Sequence, residues 1–515
     1  MENKQSNKKI TKQLIKSKNK IKKPNLFIRL IKNKWLKNTS STIALVAVIL
    51  AIFIILNVII NNLNINPIDF TDKKVYTLSD DSKNAVSKVE QNVTMYFFGY
   101  SENDTPVVLG KQYEKINDKI KVQIVSTTDR PDLATEFNVS STQQLVAVSS
   151  NQRYKVVDSS EMYTYDESSS EQVDVTEQKL TNAIVDVTIS SKPQVYFLTG
   201  NGEYGIDSSS YMNVLSQYVK NDINDVNSLD LLTSDMPETC DVLVIVNPTS
   251  DFTDAETQKI QNYINNGGKI IWLQDPYINI QNYNKDNFKN INTILGEFGI
   301  SFSYGVVCEE SSDNMVQGQP DVIIPNMTYN EIVKDIYTDG KIVMFDAGKI
   351  ETEDSEKLSE LKVTASSFIT SSDKSFYKEK FSATDTTLKK SDEDDSKGNY
   401  VLGETLEKKI NDNTKSTLVA YSNALFATNY TIAFGNSYTY PIYLRNNKDL
   451  LLNTIAYLSD RDDAISIRKP TGTGYVSFET ASQKQDNIVK VIIFAIPIAI
   501  ITVGIVITII RKRRK

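Results

Sequence analysis

The chain has 515 residues, room for about three domains of ~150 residues each, and it contains no histidine and two cysteines. That excludes Ser-His-Asp and Cys-His catalysis, His-ligated zinc and a four-cysteine metal site within one chain. The net charge of −7 hides an asymmetry: residues 1–38 hold 13 Lys/Arg and one acid, the last five residues are all basic, and the stretch between carries about −24, too acidic to bind nucleic acid through its phosphates.

Residues 1–39 read as a basic cytoplasmic tail. The run Ile43–Ile60 has 18 residues with one polar member, Asn57, and at 1.5 Å per residue it nearly crosses a ~30 Å hydrocarbon core, so 40–62 is read as a first transmembrane helix. Its long preamble and the lack of a small-residue cleavage site after Ile60 argue against a cleaved signal. A second uncharged run, Val491–Ile510, precedes the basic tail 511–515. Lys32, Lys34 and Lys37 before one span and the Arg511–Lys515 cluster after the other predict a two-pass cell-membrane protein with both termini cytoplasmic and residues ~61–490 extracytoplasmic, at the cell surface. The richness in Lys, Asn and Ile suggests an AT-rich bacterial genome.

Within that outer region, residues 69–158 predict a helix capped by Ser79 or Asp80, a buried strand Val93–Phe98, a helix near Val108–Ile120, and a strand Lys121–Val125. A short helix at Pro131–Phe137 and two strands, Gln144–Val148 and Arg153–Val157, follow, with Asn151-Gln152 at the hairpin. This βαβ–α–ββ order is that of a thioredoxin-like α/β domain, without a Cys-X-X-Cys and hence without its redox chemistry. Residues 159–192 read as linker and connecting elements, with Ser159–Gln172 a loop. Residues 193–475 read as a parallel-sheet α/β domain with insertions, and 476–490 as a second linker. In that domain the strands Gln194–Leu198, Ser228–Leu232, Asp241–Val246 and Lys269–Leu273 alternate with amphipathic helices, one carrying Tyr211, Val214, Leu215, Tyr218 and Val219, the next capped by Thr253 and ended by Gly267-Gly268. Lys341–Phe345, Thr417–Tyr421 and Lys448–Leu458 read as further core elements, and Ser391–Asp395 as a solvated loop.

In an open parallel sheet, ligands bind beyond the carboxyl ends of the strands. Three such ends carry polar residues: Gly200, Asn201, Gly202 and Glu203; Asn247 and its neighbours; and Gln274-Asp275. This edge is a candidate ligand-binding site, and Glu203 with Asp275 a candidate carboxylate pair for acid–base work or a cation. The same residue types also serve as ordinary turn formers after strands. A third glycine for a dinucleotide fingerprint is missing, and so is a phosphate-binding Gly-x-x-x-x-Gly-Lys-Ser/Thr loop. The reading therefore assigns no catalytic residue, cofactor or metal. Cys240 and Cys308, 68 positions apart, fit either one disulfide or two small buried residues.

Five segments in order carry a resemblance: Val75–Ser79 (VYTLS), Val195–Glu203 (VYFLTGNGE), Cys240–Glu256 (CDVLVIVNPTSDFTDAE), Asn266–Pro276 (NGGKIIWLQDP) and Asn446–Pro470. In these the chain resembles the GldG-like, gliding-motility type auxiliary components of ABC transporters, over nearly the whole outer region. The resemblance implies a non-catalytic extracytoplasmic subunit that works with a separate ABC-2-type permease and a cytoplasmic ABC ATPase. It also implies a middle sheet of flavodoxin/amidotransferase-like fold lacking that fold's Cys-His machinery. Family members commonly show Gly-His-Gly-Glu where this chain has Gly200-Asn201-Gly202-Glu203, so any shared imidazole chemistry is lost here. The alternative is a free-standing surface binding protein for cell-wall sugars or peptides.

Overall fold

The computed structural model describes residue 51 and residues 76–459, apart from 141–142, 167–170, 281–282, 335, 339–340, 381–387 and 435–436. Apart from residue 51, both apolar runs, the linker 476–490 and the two basic tails lie outside the described residues. Among the described residues no helix is long and apolar enough to cross a membrane.

Two sheets, each with its own core, organise the chain. The first lobe contains α1 (Asp80–Ser87), β1 (Val93–Phe98), α2 (Thr105–Ile116), β2 (Ile120–Val125), α3 (Pro131–Glu136), β3 (Leu145–Ser150), β4 (Arg153–Asp158) and α4 (Thr176–Thr188). Its sheet runs β2-β1-β3-β4, with β1 parallel to β2 and the other pairs antiparallel. Alternation along β1 sends Val93, Met95 and Phe97 to a face covered by α1, α2 and α4, and Phe98 to the face holding Leu133 and Phe137 of the α3 segment. Ser79 caps α1, its side chain accepting from the Ser82 N–H. Asn151 and Gln152 both take left-handed backbone (φ 47° and 68°), as a tight two-residue hairpin loop requires. Helix α2 begins three residues earlier than the sequence suggested, because Pro106 suits a helix's first turn, and it ends before Asn117, whose amide group bonds the Val86 and Val89 carbonyls. The stretch Ser159–Gln172, expected as a loop, contains a 3-10 turn (Ser159–Met162) and parts of two paired strands, Tyr163–Asp166 and Glu171–Asp174.

The second lobe contains β5 (Gln194–Thr199), α5 (Asn213–Asn221), β6 (Asp225–Asp230), β7 (Val242–Val246), α6 (Asp254–Asn265), β8 (Lys269–Leu273), α7 (Lys289–Gly296), β9 (Asn326–Met327), α8 (Ser355–Leu361), β10 (Val363–Thr370), β11 (Val401–Lys409), β12 (Lys415–Tyr421) and α9 (Asn447–Leu458). The eight-stranded sheet runs β9-β10-β11-β12-β8-β7-β5-β6. From β12 to β6 all neighbours are parallel. All five residues of β7 are buried, as a strand covered on both faces requires. Helices α5 and α9 pack on one face with Val195, Val244 and Ile271, while α6 and α7 pack on the other with Leu243, Ile245 and Trp272. This is a three-layer α/β arrangement.

The expected parallel sheet with insertions is corrected in one respect: β9, β10 and β11 add an antiparallel flank. The cause is the short turn between Lys409 and Lys415, where the Ile410 N–H donates to Thr414 O, since so tight a connection allows only an antiparallel pair. Strand β6 lies three residues earlier than Ser228–Leu232, on the sheet edge. Lys341–Phe345 contributes only a two-residue strand, Met344–Phe345, to a separate three-stranded sheet. The acidic loop Ser391–Asp395 is not uniformly solvated: Asp394 forms an ion pair with Lys378 at 3.0 Å, both side chains at most a tenth exposed. Cys240 and Cys308 are free and buried, so they form no disulfide.

Candidate functional site

Taken in chain order, the five parallel strands are arranged 2-1-3-4-5, and the order reverses between β5 and β7. That reversal is where open α/β sheets place ligands. Thr199, Val246, Leu273 and Tyr421 end on this one edge, and all six candidate residues lie just beyond it.

The loop after β5 folds across the reversal point. Gly200 and Gly202 hold φ values of 123° and 81°, and a Cβ at Gly202 would fall 2.0 Å from Thr249 Oγ1. Only glycine permits that approach. The Asn201 carbonyl accepts from the N–H groups of Thr249 and Ser250, both at 3.0 Å. The Asn201 side-chain amide donates at 2.8 Å to the buried Glu256 carboxylate. Glu256 also accepts from the Thr253 N–H and hydroxyl, completing a capping box on α6. Asn201 is therefore a structural donor that stitches β5 to β7.

The second knot joins β7, β8 and β12. Asn247 takes left-handed backbone (φ 51°), and its side-chain oxygen accepts from Gln274 Nε2 at 2.9 Å and the Asp275 N–H at 3.2 Å. Asp275 Oδ1 accepts from Asn423 Nδ2, the Ala424 N–H and the Leu425 N–H at 3.0, 2.6 and 3.0 Å. Its Oδ2 accepts from the Tyr204 hydroxyl at 3.1 Å. Burial raises the Asp275 carboxyl above the usual range, and these donors oppose the rise.

Glu203 differs. One oxygen accepts from the Asn201 N–H at 2.7 Å, and the other is buried without a hydrogen-bond partner. Burial, with Glu256 and Asp230 nearby, pushes its carboxyl up despite backbone bonds that pull it down. Glu203 and Asp275 share no hydrogen bond with each other, and Asp275 is saturated. Asp346, also in left-handed backbone (φ 49°), has its carboxyl pushed up to about 7 by burial and by Asp321 and Asp275. Among the described residues no group of three or more Cys, Asp or Glu is placed to hold a metal ion.

The structure thus gathers all six candidate residues on one edge and ties them to partners that the sequence did not single out. Glu256 was legible through its Thr-x-x-Glu spacing after Thr253. Tyr204, Asn423 and Asp346 carried no local signal, since their partners are distant in the chain.

A family model described as an ABC-type uncharacterized transport system matches residues 192–454, just over half of the chain. No curated protein matches the chain significantly. Among solved structures the chain is similar to the mmIFT52 N-terminal domain, at 13% identity over 52% of this chain and 98% of that one, with a TM-score of 0.36. It is also similar to the cytoplasmic protein STM3548 from Salmonella typhimurium, at 13% identity over 52% of this chain and 98% of that one, with a TM-score of 0.28. Likeness at that level is silent on function.

Proposed function

The chain belongs to the ABC-type uncharacterized transport system family, and from that membership we propose that it is a non-catalytic, GldG-like auxiliary subunit that docks on an ABC-2-type permease served by a separate cytoplasmic ATPase. The single observation that carries this reading is the family match, which spans the second lobe from the start of β5 into α9. Two apolar runs flanked by basic residues, with an acidic stretch between them, support anchoring at both ends and an extracytoplasmic position for the two lobes. The order β2-β1-β3-β4 supports a thioredoxin-like first lobe, and since both cysteines fall in the second lobe, that first lobe acts as a recognition or spacer module. The order 2-1-3-4-5 supports a flavodoxin-like second lobe.

The four donors that occupy the Asp275 carboxylate support a non-catalytic role, because a general acid or base needs an oxygen free to reach substrate. Crosslinking in intact cells at native expression, followed by mass spectrometry, tests the proposal. It expects a multi-span permease and an ATPase among the captured chains; repeated recovery of this protein alone overturns it.

A second reading, a surface binding protein for cell-wall sugars or peptides, is favoured by one observation. Glu203 keeps an unpaired oxygen at the strand edge, on the loop that leads to Tyr204 and the exposed ring pair Tyr211 and Tyr430, centroids 5.5 Å apart. It predicts thermal stabilisation of the protein by wall fragments, about 2.7 kcal/mol at a hundredfold excess over Kd.

A further inference from the structure

From Ser416 to Leu444 the chain has no Asp, Glu, Lys or Arg, although 23% of its residues are charged. Burial explains the first part of that run. Strand β12 ends at Tyr421, and residues 422–428 are buried apart from Leu425, which is half-buried. The second part is different. Tyr430 is 46% exposed and Tyr438 80% exposed. Between them the strands Ile432–Phe434 and Ser437–Thr439 pair antiparallel, with Ala433 opposite Tyr438. Ile432 and Phe434 pack inward against Val343, Phe345 and Leu444. Alternation then sends Ala433, and Tyr438 across from it, to solvent.

The ring beside Tyr430 belongs to a distant part of the chain. Tyr211, also exposed, meets it edge to face with centroids 5.5 Å apart. Asn429 fastens the two segments together. Its N–H donates to the Tyr211 carbonyl at 2.9 Å and its side-chain amide to the Ser210 carbonyl at 3.2 Å, while its side-chain oxygen accepts from the Val214 N–H at 3.3 Å. Tyr204 extends the row inward, 5.1 Å from Tyr211, with its hydroxyl on Asp275. The rings are thus set in place before any partner arrives, which lowers the ordering cost of binding.

A single exposed ring is ordinary, but neighbouring ones mark contact surfaces. Along the chain, charge returns at Asp207, in the loop before Tyr211, and at Arg445, after the run; both are exposed. A tyrosine-rich centre without charge, inside a charged margin, is the composition of a protein–protein contact, and tyrosine is among the residues that carry most of its energy. The acidic surroundings hold anionic polymers off. We propose that Tyr211, Tyr430 and Tyr438 form the surface by which this chain docks on its permease, against an extracytoplasmic face of that protein that is equally poor in charge. The proposal rests on the auxiliary-subunit reading above and adds to it the place of contact. It gives to a protein partner the ring pair that the second reading gives to wall fragments.

The test is photo-crosslinking of the full chain in intact cells at native expression. Benzoylphenylalanine replaces Tyr430, Tyr438 or, as a control on the first lobe, Tyr154, which is 50% exposed. A multi-span permease, identified by mass spectrometry, is expected from Tyr430 and Tyr438 and not from Tyr154. Tyr438→Asp, read with the probe at Tyr430, should lower that capture by about tenfold or more. Its unfolding midpoint should not move, since the side chain it replaces lies in water. Permease captured from Tyr154 alone, or captured equally with and without Tyr438→Asp, overturns the surface and leaves the auxiliary-subunit reading standing. So does capture of a second copy of this chain in place of the permease. No permease from any position, with this protein recovered alone in whole-cell crosslinking, overturns both.

Discussion

Each lobe is tied together by a buried carboxylate, and the two ties are built differently. In the first lobe Glu177, near the start of α4, accepts from the Ser79 N–H at 2.6 Å, the Ser79 hydroxyl at 2.7 Å and the Ser82 hydroxyl at 2.6 Å. Those donors come from the first turn of α1, so the acid joins two helix starts, where the backbone dipole also favours negative charge. In the second lobe Asp275 has four donors drawn from residues 71 to 150 positions away, and it binds strand ends together. A carboxylate buried at helix starts has a favourable field before any side chain reaches it. One buried at sheet ends depends on its donors, and losing any of them leaves charge or backbone unpaired.

The largest expected effect breaks the sheet tie. Asp275→Ala strands three N–H groups and a hydroxyl and should lower second-lobe stability by about 3–5 kcal/mol, read from urea unfolding followed by Trp272 fluorescence; a loss no larger than a surface change would sink the account. Next comes Asp346. Its folded carboxyl lies near 7 against 3.8 unfolded, so between those values the folded state holds a proton that the unfolded state has released. Stability therefore falls as pH rises from about 4 to 7 and is flat above. Asp346→Asn should abolish that slope and stabilise the protein at pH 8, by at most about 4 kcal/mol, with no gain at pH 3.

The helix tie should be weaker. Glu177→Ala is expected to cost about 2–3 kcal/mol, with faster amide hydrogen exchange in α1 and unchanged exchange in β7 and β8. The smallest effect sharpens the contrast with Asp275: Glu203→Gln removes a desolvated, half-satisfied carboxylate. It should leave stability at pH 7 within about 1 kcal/mol of the parent, or slightly above it; a loss comparable to that of Asp275→Ala would show that Glu203 has partners of equal weight.

The second lobe's central strands were legible because their signals are local. DVLVIV and KIIWL are apolar runs bounded by turn residues, and Thr253 with Gly267-Gly268 brackets α6. The edge itself was legible as a place, since strand ends with Gly, Asn and Asp are recognisable one at a time. Its wiring was not. Asp275 meets Asn423 across 148 residues, and periodicity carries no information at that range. The antiparallel flank was missed because β10 (VTASSFIT) and β11 (VLGETLEKK) carry no continuous apolar run to mark them as strands, and the turn 410–414 lacks the Asn-Gly or Asp-Gly signature of a two-residue hairpin. The left-handed backbone of Ile223 (φ 61°), just past the end of α5, was invisible for the opposite reason: an isoleucine gives no warning of it.

The register between β8 and β12 has a consequence for how the molecule assembles. Lys269 pairs with Thr417, and Leu273 with Tyr421, so β8 emerges from synthesis long before its neighbour exists. Until residue 421 is made, four parallel strands stand with β8 as a bare apolar edge, and closing it requires a loop of more than a hundred residues, a slow event by the usual relation between contact order and rate. An open, hydrophobic edge of that kind templates pairing with other chains. The half-made protein is thus the one most in need of an escort.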